Sequence, residues 1–198
     1  MLFRSHLQGD AIGLLTFDEA VREYLPARHR PGHLRQLMHA LEKPAAGKST
    51  NLTAPLERVA SIVRKRGLIT LLSDFLAPVD RLERELMTLT AGGHEVTVFQ
   101  ILDPAELNLG LDRPALFEDV ESGRTIYLDP VAAREGYVKK LDAHCGALRA
   151  TCRKLGVGYH LLAADQALEI ALFEFLQERM TRGRQFRPAA RAPHGGAR

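Results

Sequence analysis

The chain has 198 residues, of which 45% are hydrophobic and 26% are charged, the balance of an ordinary globular protein with a sizeable core. No stretch approaches the roughly 20 uninterrupted apolar residues of a membrane helix, and no secretory signal pattern opens the chain. Cys145 and Cys152 are seven residues apart in a helical pattern and cannot bridge, which excludes a disulfide framework and favours a reducing, cytoplasmic location.

The net charge of +3 comes from the carboxyl terminus. Five arginines and no acidic residue follow Thr181, and the rest of the chain carries 22 basic against 24 acidic residues. We therefore predict one domain over residues 1–181 and a disordered basic tail over residues 182–198. Contact between this tail and nucleic acid is an alternative function, although nucleic acid is not the favoured partner. It would weaken steeply with salt and disappear when the tail is deleted.

Short apolar runs alternate with amphipathic helical patterns, which predicts an α/β fold. Strands are predicted at residues 11–17, 21–25, 68–72, 95–102 and 159–163, with a hairpin of residues 116–120 and 125–128. Helices are predicted at residues 34–41, 52–63, 79–89, 130–155 and 168–180. The longest helix begins at Asp129-Pro130, a capping residue followed by a first-turn proline.

Two polar segments stand where α/β proteins bind ligands. Ser73-Asp74 follows the apolar strand 68–72, and ligands bind beyond the carboxyl ends of such strands. Gly47-Lys-Ser-Thr50 precedes a helix, but a phosphate-binding loop needs a glycine where Glu42 stands and a strand before it. The Thr50 hydroxyl and the Asp74 carboxylate together suit a hard divalent cation. A capping threonine and a turn aspartate explain the same residues, and spacing alone favours that interpretation.

Several segments taken in order resemble one bacterial family. They are Gly9-Asp-Ala-Ile-Gly-Leu-Leu-Thr-Phe-Asp18, Arg30-Pro-Gly-His-Leu-Arg35, Gly47-Lys-Ser-Thr-Asn-Leu52, Leu72-Ser-Asp-Phe75 and Gly93-His-Glu-Val-Thr-Val-Phe-Gln-Ile-Leu-Asp-Pro104. The family is domain of unknown function 58, which is von Willebrand factor A-like. The resemblance implies a Rossmann-like, mostly parallel sheet with helices on both faces. The β-hairpin is then an insertion, and the first strand of the family is missing from this chain.

The family resemblance also implies a metal-ion-dependent adhesion site. That site takes Asp-x-Ser-x-Ser from the first strand, a threonine from a later loop and an aspartate after the fourth strand. Thr50 and Asp74 match the last two positions, whereas the Asp-x-Ser-x-Ser element is absent. We therefore expect a degenerate metal site that holds Mg²⁺ only if the missing amino-terminal ligands are supplied. Ser49, Asn51 and Ser73 are the predicted partner-binding neighbours.

The function implied by the resemblance is that of a non-enzymatic protein-interaction module, a companion of MoxR-type AAA+ ATPases. No catalytic residue and no small-molecule substrate are predicted. The alternative is a metal-dependent hydrolase that uses Asp74 with the acidic hairpin residues Glu118, Asp119 and Glu121. Hydrolysis of phosphate or peptide substrates that is lost in Asp74→Ala would favour this alternative.

The family's strand order, 3-2-1-4-5-6, places the missing strand between residues 11–17 and 68–72. These two strands would then face each other across about 9–10 Å, twice the usual strand spacing. Each buried, unpaired backbone group costs about 1–3 kcal/mol. We therefore expect one of three outcomes: the two strands close on each other, a strand of another chain fills the gap, or the chain folds poorly.

Overall fold

The computed structural model describes residues 9–18, 20–44, 52–111, 113–118, 123, 125–167, 169, 172–173, 175–177 and 179. The chain divides into two compact units, Met1–Asp165 and Gln166–Arg198, and the elements described below all belong to the first unit. The boundary predicted after residue 181 lies outside the described residues and stays a prediction.

The centre of the first unit is a parallel sheet. Its strands are β3 (Leu68–Ser73), β4 (Glu95–Leu102) and β7 (Gly158–Ala163), in the order β3-β4-β7; the numbering follows the strands in chain order. Leu68 is paired with Glu95, and Thr97 is paired with Gly158, so the three carboxyl ends meet at one edge. Both faces of β4 are buried, as expected of a central parallel strand that is covered on both sides.

Two antiparallel pairs accompany this sheet. β1 (Ile12–Phe17) pairs with β2 (Val21–Arg28), and β5 (Ala115–Glu118) pairs with β6 (Thr125–Leu128) as the predicted hairpin. Within the described residues β1 is not paired with β3, so the first expected outcome, closure of these two strands on each other, is not observed. Instead, β1 meets the core through the side chain of Phe17.

Five helices are described in the first unit. They are α1 (His33–Leu41), α2 (Thr53–Ile62), α3 (Val79–Ala91), α4 (Pro104–Asn108) and α5 (Pro130–Lys154). As predicted, the Asp129 carboxylate caps α5 by accepting hydrogen bonds from the Val131 and Ala132 amides at 3.0 and 3.4 Å. None of the described helices combines the length and apolar character that crossing a bilayer requires.

The main core lies between the parallel sheet and helices α2, α3 and α5. Leu86, Val98, Leu148 and Cys152 are fully buried in it. A second, smaller core cluster comprises Leu102, Leu141 and Cys145, with Leu161 packed against it. Both cysteines are therefore free, buried residues on the apolar face of α5, as their spacing predicted. The coarse prediction of an α/β fold with a parallel sheet is confirmed.

Candidate functional site

The predicted site residues Ser73 and Asp74 form a tight turn at the carboxyl end of β3. The Asp74 carboxylate oxygen Oδ1 accepts hydrogen bonds from the Ser73 hydroxyl at 3.2 Å and from the Leu76 amide at 3.3 Å. The Ser73 hydroxyl oxygen in turn accepts a hydrogen bond from the Phe75 amide at 3.2 Å. These local bonds replace the strand ladder where β3 ends, and they fix the direction of the Asp74 side chain.

Phe75 occupies an unusual backbone conformation in this turn. Its φ is 52°, in the left-handed region that a bulky residue rarely adopts, and such strain persists only where the surroundings impose it. Here the aromatic ring is 1% exposed in the main core. The His144 ring nitrogen Nε2 also donates a hydrogen bond to the Phe75 carbonyl at 2.8 Å. Core packing and a side chain from α5 thus hold the turn in its strained form.

A buried glutamine holds the same turn from the neighbouring strand. The Gln100 amide nitrogen Nε2 donates a hydrogen bond to the Asp74 carbonyl at 2.8 Å, and the Tyr159 hydroxyl donates one to Gln100 Oε1 at 2.7 Å. Gln100 is fully buried, so these bonds satisfy polar groups that water does not reach. The backbone of Asp74 is therefore fixed by a chain of hydrogen bonds that crosses the sheet from β7 through β4 to β3.

Two side chains of α5 complete the surroundings of this network. The Cys145 thiol lies against Gln100 and Tyr159, and burial raises its pKa, with the nearby Asp142 carboxylate adding to the effect. The Arg149 guanidinium lies 5.3 Å from the centre of the Tyr159 ring, a cation–π contact. Burial and the raised pKa both disfavour the thiolate, which fits Cys145 as a packed residue of the smaller core cluster.

The outer surface of the turn combines a carboxylate with apolar side chains. Asp74 is exposed, and the flanking Leu72 and Leu76 are 60% and 49% exposed. A charged group beside apolar side chains on a rigid backbone is a surface suited to binding another molecule, because little conformational freedom is lost on contact.

Of the remaining predicted site residues only Glu118 is described, and it is exposed in β5. Thr50, Ser49 and Asn51 lie outside the described residues, as do the hairpin residues Asp119 and Glu121. Across the described part of the chain, no three His, Cys, Asp or Glu side chains come together as a metal site. Around the turn, the described side chains offer a divalent cation one carboxylate and one hydroxyl, fewer ligands than such an ion takes. Metal binding thus stays a prediction.

Sequence reasoning did not identify the three side chains that hold the turn. Gln100 carried a recognisable signal, because it follows Val96 and Val98 at strand spacing and so points to the same buried face. A polar residue at such a position needs an internal partner. His144 and Tyr159 gave no comparable signal, since their partners are 69 and 59 residues away in the chain.

Two buried side chains, Tyr159 of this network and Cys152 of the main core, predict a loss of stability at alkaline pH. Burial raises the pKa of Tyr159 to about 12 and that of Cys152 to about 11. The unfolded chain releases these protons near pH 9–10, before the folded protein does, so the free energy of unfolding falls as pH rises from about 9 to about 12. Urea unfolding at a series of pH values measures the decline.

In this experiment Tyr159→Phe is the matched variant, because it removes one of the groups whose pKa is raised and keeps the ring. Its free energy of unfolding should decline less steeply with pH than that of the unaltered chain. The difference should develop between about pH 9 and about pH 12, up to the raised pKa values of the folded protein. Parallel declines would contradict the prediction.

The fold and this turn define a class of protein: a mixed α/β domain with a parallel sheet and a polar turn at the sheet's carboxyl end. The family model described as protein of unknown function DUF58 matches residues 1–146. The chain belongs to this family.

The chain is also similar to two mycobacterial proteins and to one solved structure. The uncharacterized protein Rv1480 of Mycobacterium tuberculosis is 28% identical over 177 residues, which cover 86% of this chain and 55% of that protein. The chain thus spans about half the length of that relative. The uncharacterized protein MAV169 of Mycobacterium avium is 25% identical over 154 residues, 77% of this chain and 89% of that protein.

The crystal structure of the conserved hypothetical protein BatB from Bacteroides thetaiotaomicron is similar in fold. It gives a TM-score of 0.55 at 12% identity and covers 91% of this chain and 85% of that chain. A structural similarity at 12% sequence identity is evidence about the fold alone.

Proposed function

We propose that this domain is a von Willebrand factor A-like, non-enzymatic protein-interaction module. Its partner docks at the carboxyl end of the parallel sheet, against the exposed carboxylate of Asp74 and the flanking side chains of Ser73, Leu72 and Leu76. The partner is a MoxR-type AAA+ ATPase. Docking at this edge is the usual position for ligands of open α/β sheets.

The observation that carries the proposal is the strained turn that presents Asp74. Gln100 and His144 together bind two consecutive carbonyls, those of Asp74 and Phe75, at 2.8 Å each. The buried Gln100 and the half-buried His144 thus hydrogen-bond to a turn whose Asp74 side chain is exposed. Backbone strain held by the surrounding structure is concentrated at functional sites, which supports a binding role for this turn.

The proposal extends to a metal ion where the ligands are complete. Asp74 and Thr50 would then contribute oxygen ligands to Mg²⁺, which prefers carboxylates and hydroxyls and keeps several waters. A bound cation would supply an open coordination position for an acidic side chain of the partner. Within the chain itself, Gln100 and His144 keep the Asp74 backbone in place whether or not an ion is bound.

Retention of the ATPase on the immobilised chain tests the proposal. A MoxR-type AAA+ ATPase encoded in the same genome is passed over the chain in the presence of Mg²⁺ and, separately, of a chelator. We expect the unaltered chain to retain the ATPase, and Asp74→Asn to weaken binding by about tenfold or more, the effect of losing a central interface residue.

The matched control is Asp10→Asn, which removes the same charge from an exposed residue before the amino end of β1. It should bind like the unaltered chain. Equal binding by Asp74→Asn would exclude the turn as the docking site, and no retention by the unaltered chain in either condition would exclude this partner. Retention that is insensitive to the chelator would remove the metal from the proposal and leave the docking site.

A further inference from the structure

A polar cavity lies in the antiparallel part of the fold. It has a volume of about 430 Å³ and is formed by the end of β2 together with α1. The residues that line it include the cationic Arg28 and Arg30, the histidines His33 and His39, and the apolar Leu25 and Pro26. None of these residues belongs to the Ser73–Asp74 turn, and the size is in the range of cavities that bind small molecules.

A β-bulge builds one wall of this cavity. Leu14 is paired with Leu25, whereas Ile12 is paired with Arg28, so β2 has one more residue than β1 between these two pairs. The strands approach closely here, since a Cβ atom on Gly13 would lie 2.9 Å from the Ala27 amide nitrogen. A bulge redirects the side chains that follow it. The sequence therefore provides a glycine where the backbones of β1 and β2 approach too closely for a side chain.

Hydrogen bonds fix the opposite wall. His33 is 2% exposed, and its ring nitrogen Nε2 donates a hydrogen bond to the Ile12 carbonyl at 2.8 Å, which ties the start of α1 to β1 beside the bulge. The Arg30 guanidinium donates a hydrogen bond to Gln36 Oε1 at 3.2 Å. One of the two guanidinium groups is thus positioned by the protein before any ligand arrives.

The cavity is electropositive. Its one acidic residue, Glu23, is paired with Lys43, whose Nζ lies 3.0 and 3.1 Å from the two carboxylate oxygens. Arg28 has no acidic partner among the described residues. Neither Arg28 nor Arg30 thus has a neutralising charge in the part of the chain that the structure describes, and their planar, multiple donors match the oxygens of a phosphate group in particular.

We propose that this cavity binds the phosphate group of a small phosphate monoester. Arg28 and Arg30 bind the phosphate oxygens, and Leu25 and Pro26 contact the apolar part of the molecule. Two positive charges match the dianion better than the single charge of a carboxylate. This site is additional to the proposed docking turn and does not depend on it.

Titration of the full chain with phenyl phosphate, followed by amide chemical shifts, tests this site. We expect saturable shifts around Arg28, Arg30 and His33, at lower concentration than for inorganic phosphate because the phenyl ring contacts Leu25 and Pro26. Sodium chloride at matched ionic strength should not reproduce them. Shifts that never saturate, or that chloride reproduces, would reject the site, and equal affinity for inorganic phosphate would reject the role of the apolar wall.

Two double variants of equal charge separate a specific site from general attraction. Arg28→Gln with Arg30→Gln should weaken binding by at least about tenfold, since charge-assisted hydrogen bonds are lost. Arg35→Gln with Arg58→Gln removes two exposed arginines of α1 and α2 that do not line the cavity, and should keep the affinity. All four side chains are exposed, so neither variant should unfold the chain. Equal losses in both would overturn the proposal.

Discussion

Replacement of Gln100 by methionine is expected to lower the free energy of unfolding by about 2–4 kcal/mol. Methionine fills nearly the same volume, so the loss comes from polar groups and not from a cavity. The Asp74 carbonyl and the Tyr159 hydroxyl both lose their partner, which lies at 2.8 and 2.7 Å in the intact protein. Urea unfolding monitored by circular dichroism measures the change.

A double-mutant cycle with Tyr159→Phe assigns this loss to the network. The phenylalanine variant leaves Gln100 Oε1 without its donor and should cost about 1–2 kcal/mol. In the double variant the two losses should not add, because both single variants break the same hydrogen bond. A loss below about 0.5 kcal/mol in Gln100→Met, or simple additivity, would show that the network contributes little to stability.

Leu148→Ala in α5 is expected to destabilise the chain by about 2–5 kcal/mol. The Leu148 side chain is 0% exposed in the main core, where it packs among residues of α3 and the parallel sheet. Truncation removes buried apolar surface and leaves a cavity that the rigid surroundings fill only in part. Thermal or urea unfolding measures the effect.

The control is on the same helix. Val131 is 59% exposed near the start of α5, and Val131→Ala should change the free energy of unfolding by no more than about 0.5 kcal/mol. Comparable losses in the two variants would mean that burial of Leu148 against the sheet does not decide the stability of α5. This comparison therefore tests the predicted core directly.

Elements with strong local signals could be predicted closely from the sequence. The strand predicted at residues 95–102 has the same bounds as β4, because a β-like run ends at Asp103-Pro104. The strand predicted at residues 21–25 was too short, since β2 continues to Arg28 through a bulge. That extension depends on pairing with β1 and on the close approach of the two strands at Gly13. The periodicity of apolar residues in β2 does not predict either of these contacts. The short helix α4 was missed because five residues give no helical period.

The position of the candidate site could also be predicted from the sequence. The hydrogen bonds and packing that hold the site in place could not. Ser73 and Asp74 were placed at a strand end by the apolar run before them, and they are found there. By itself, the sequence thus determined the α/β class, the main strands, the cap of α5 and the polar residues at the end of β3. Each of these follows from neighbours within a few residues.

Only the tertiary structure decided how Asp74 is held. Its carbonyl meets Gln100 from a strand 26 residues away, and the next carbonyl meets His144 from a helix 69 residues away. The left-handed conformation of Phe75 follows from these contacts and from burial of its ring, because no local preference favours it. Long-range packing and hydrogen bonds impose a backbone conformation that the local sequence disfavours, so the geometry of the turn emerges only when the sheet and α5 are assembled.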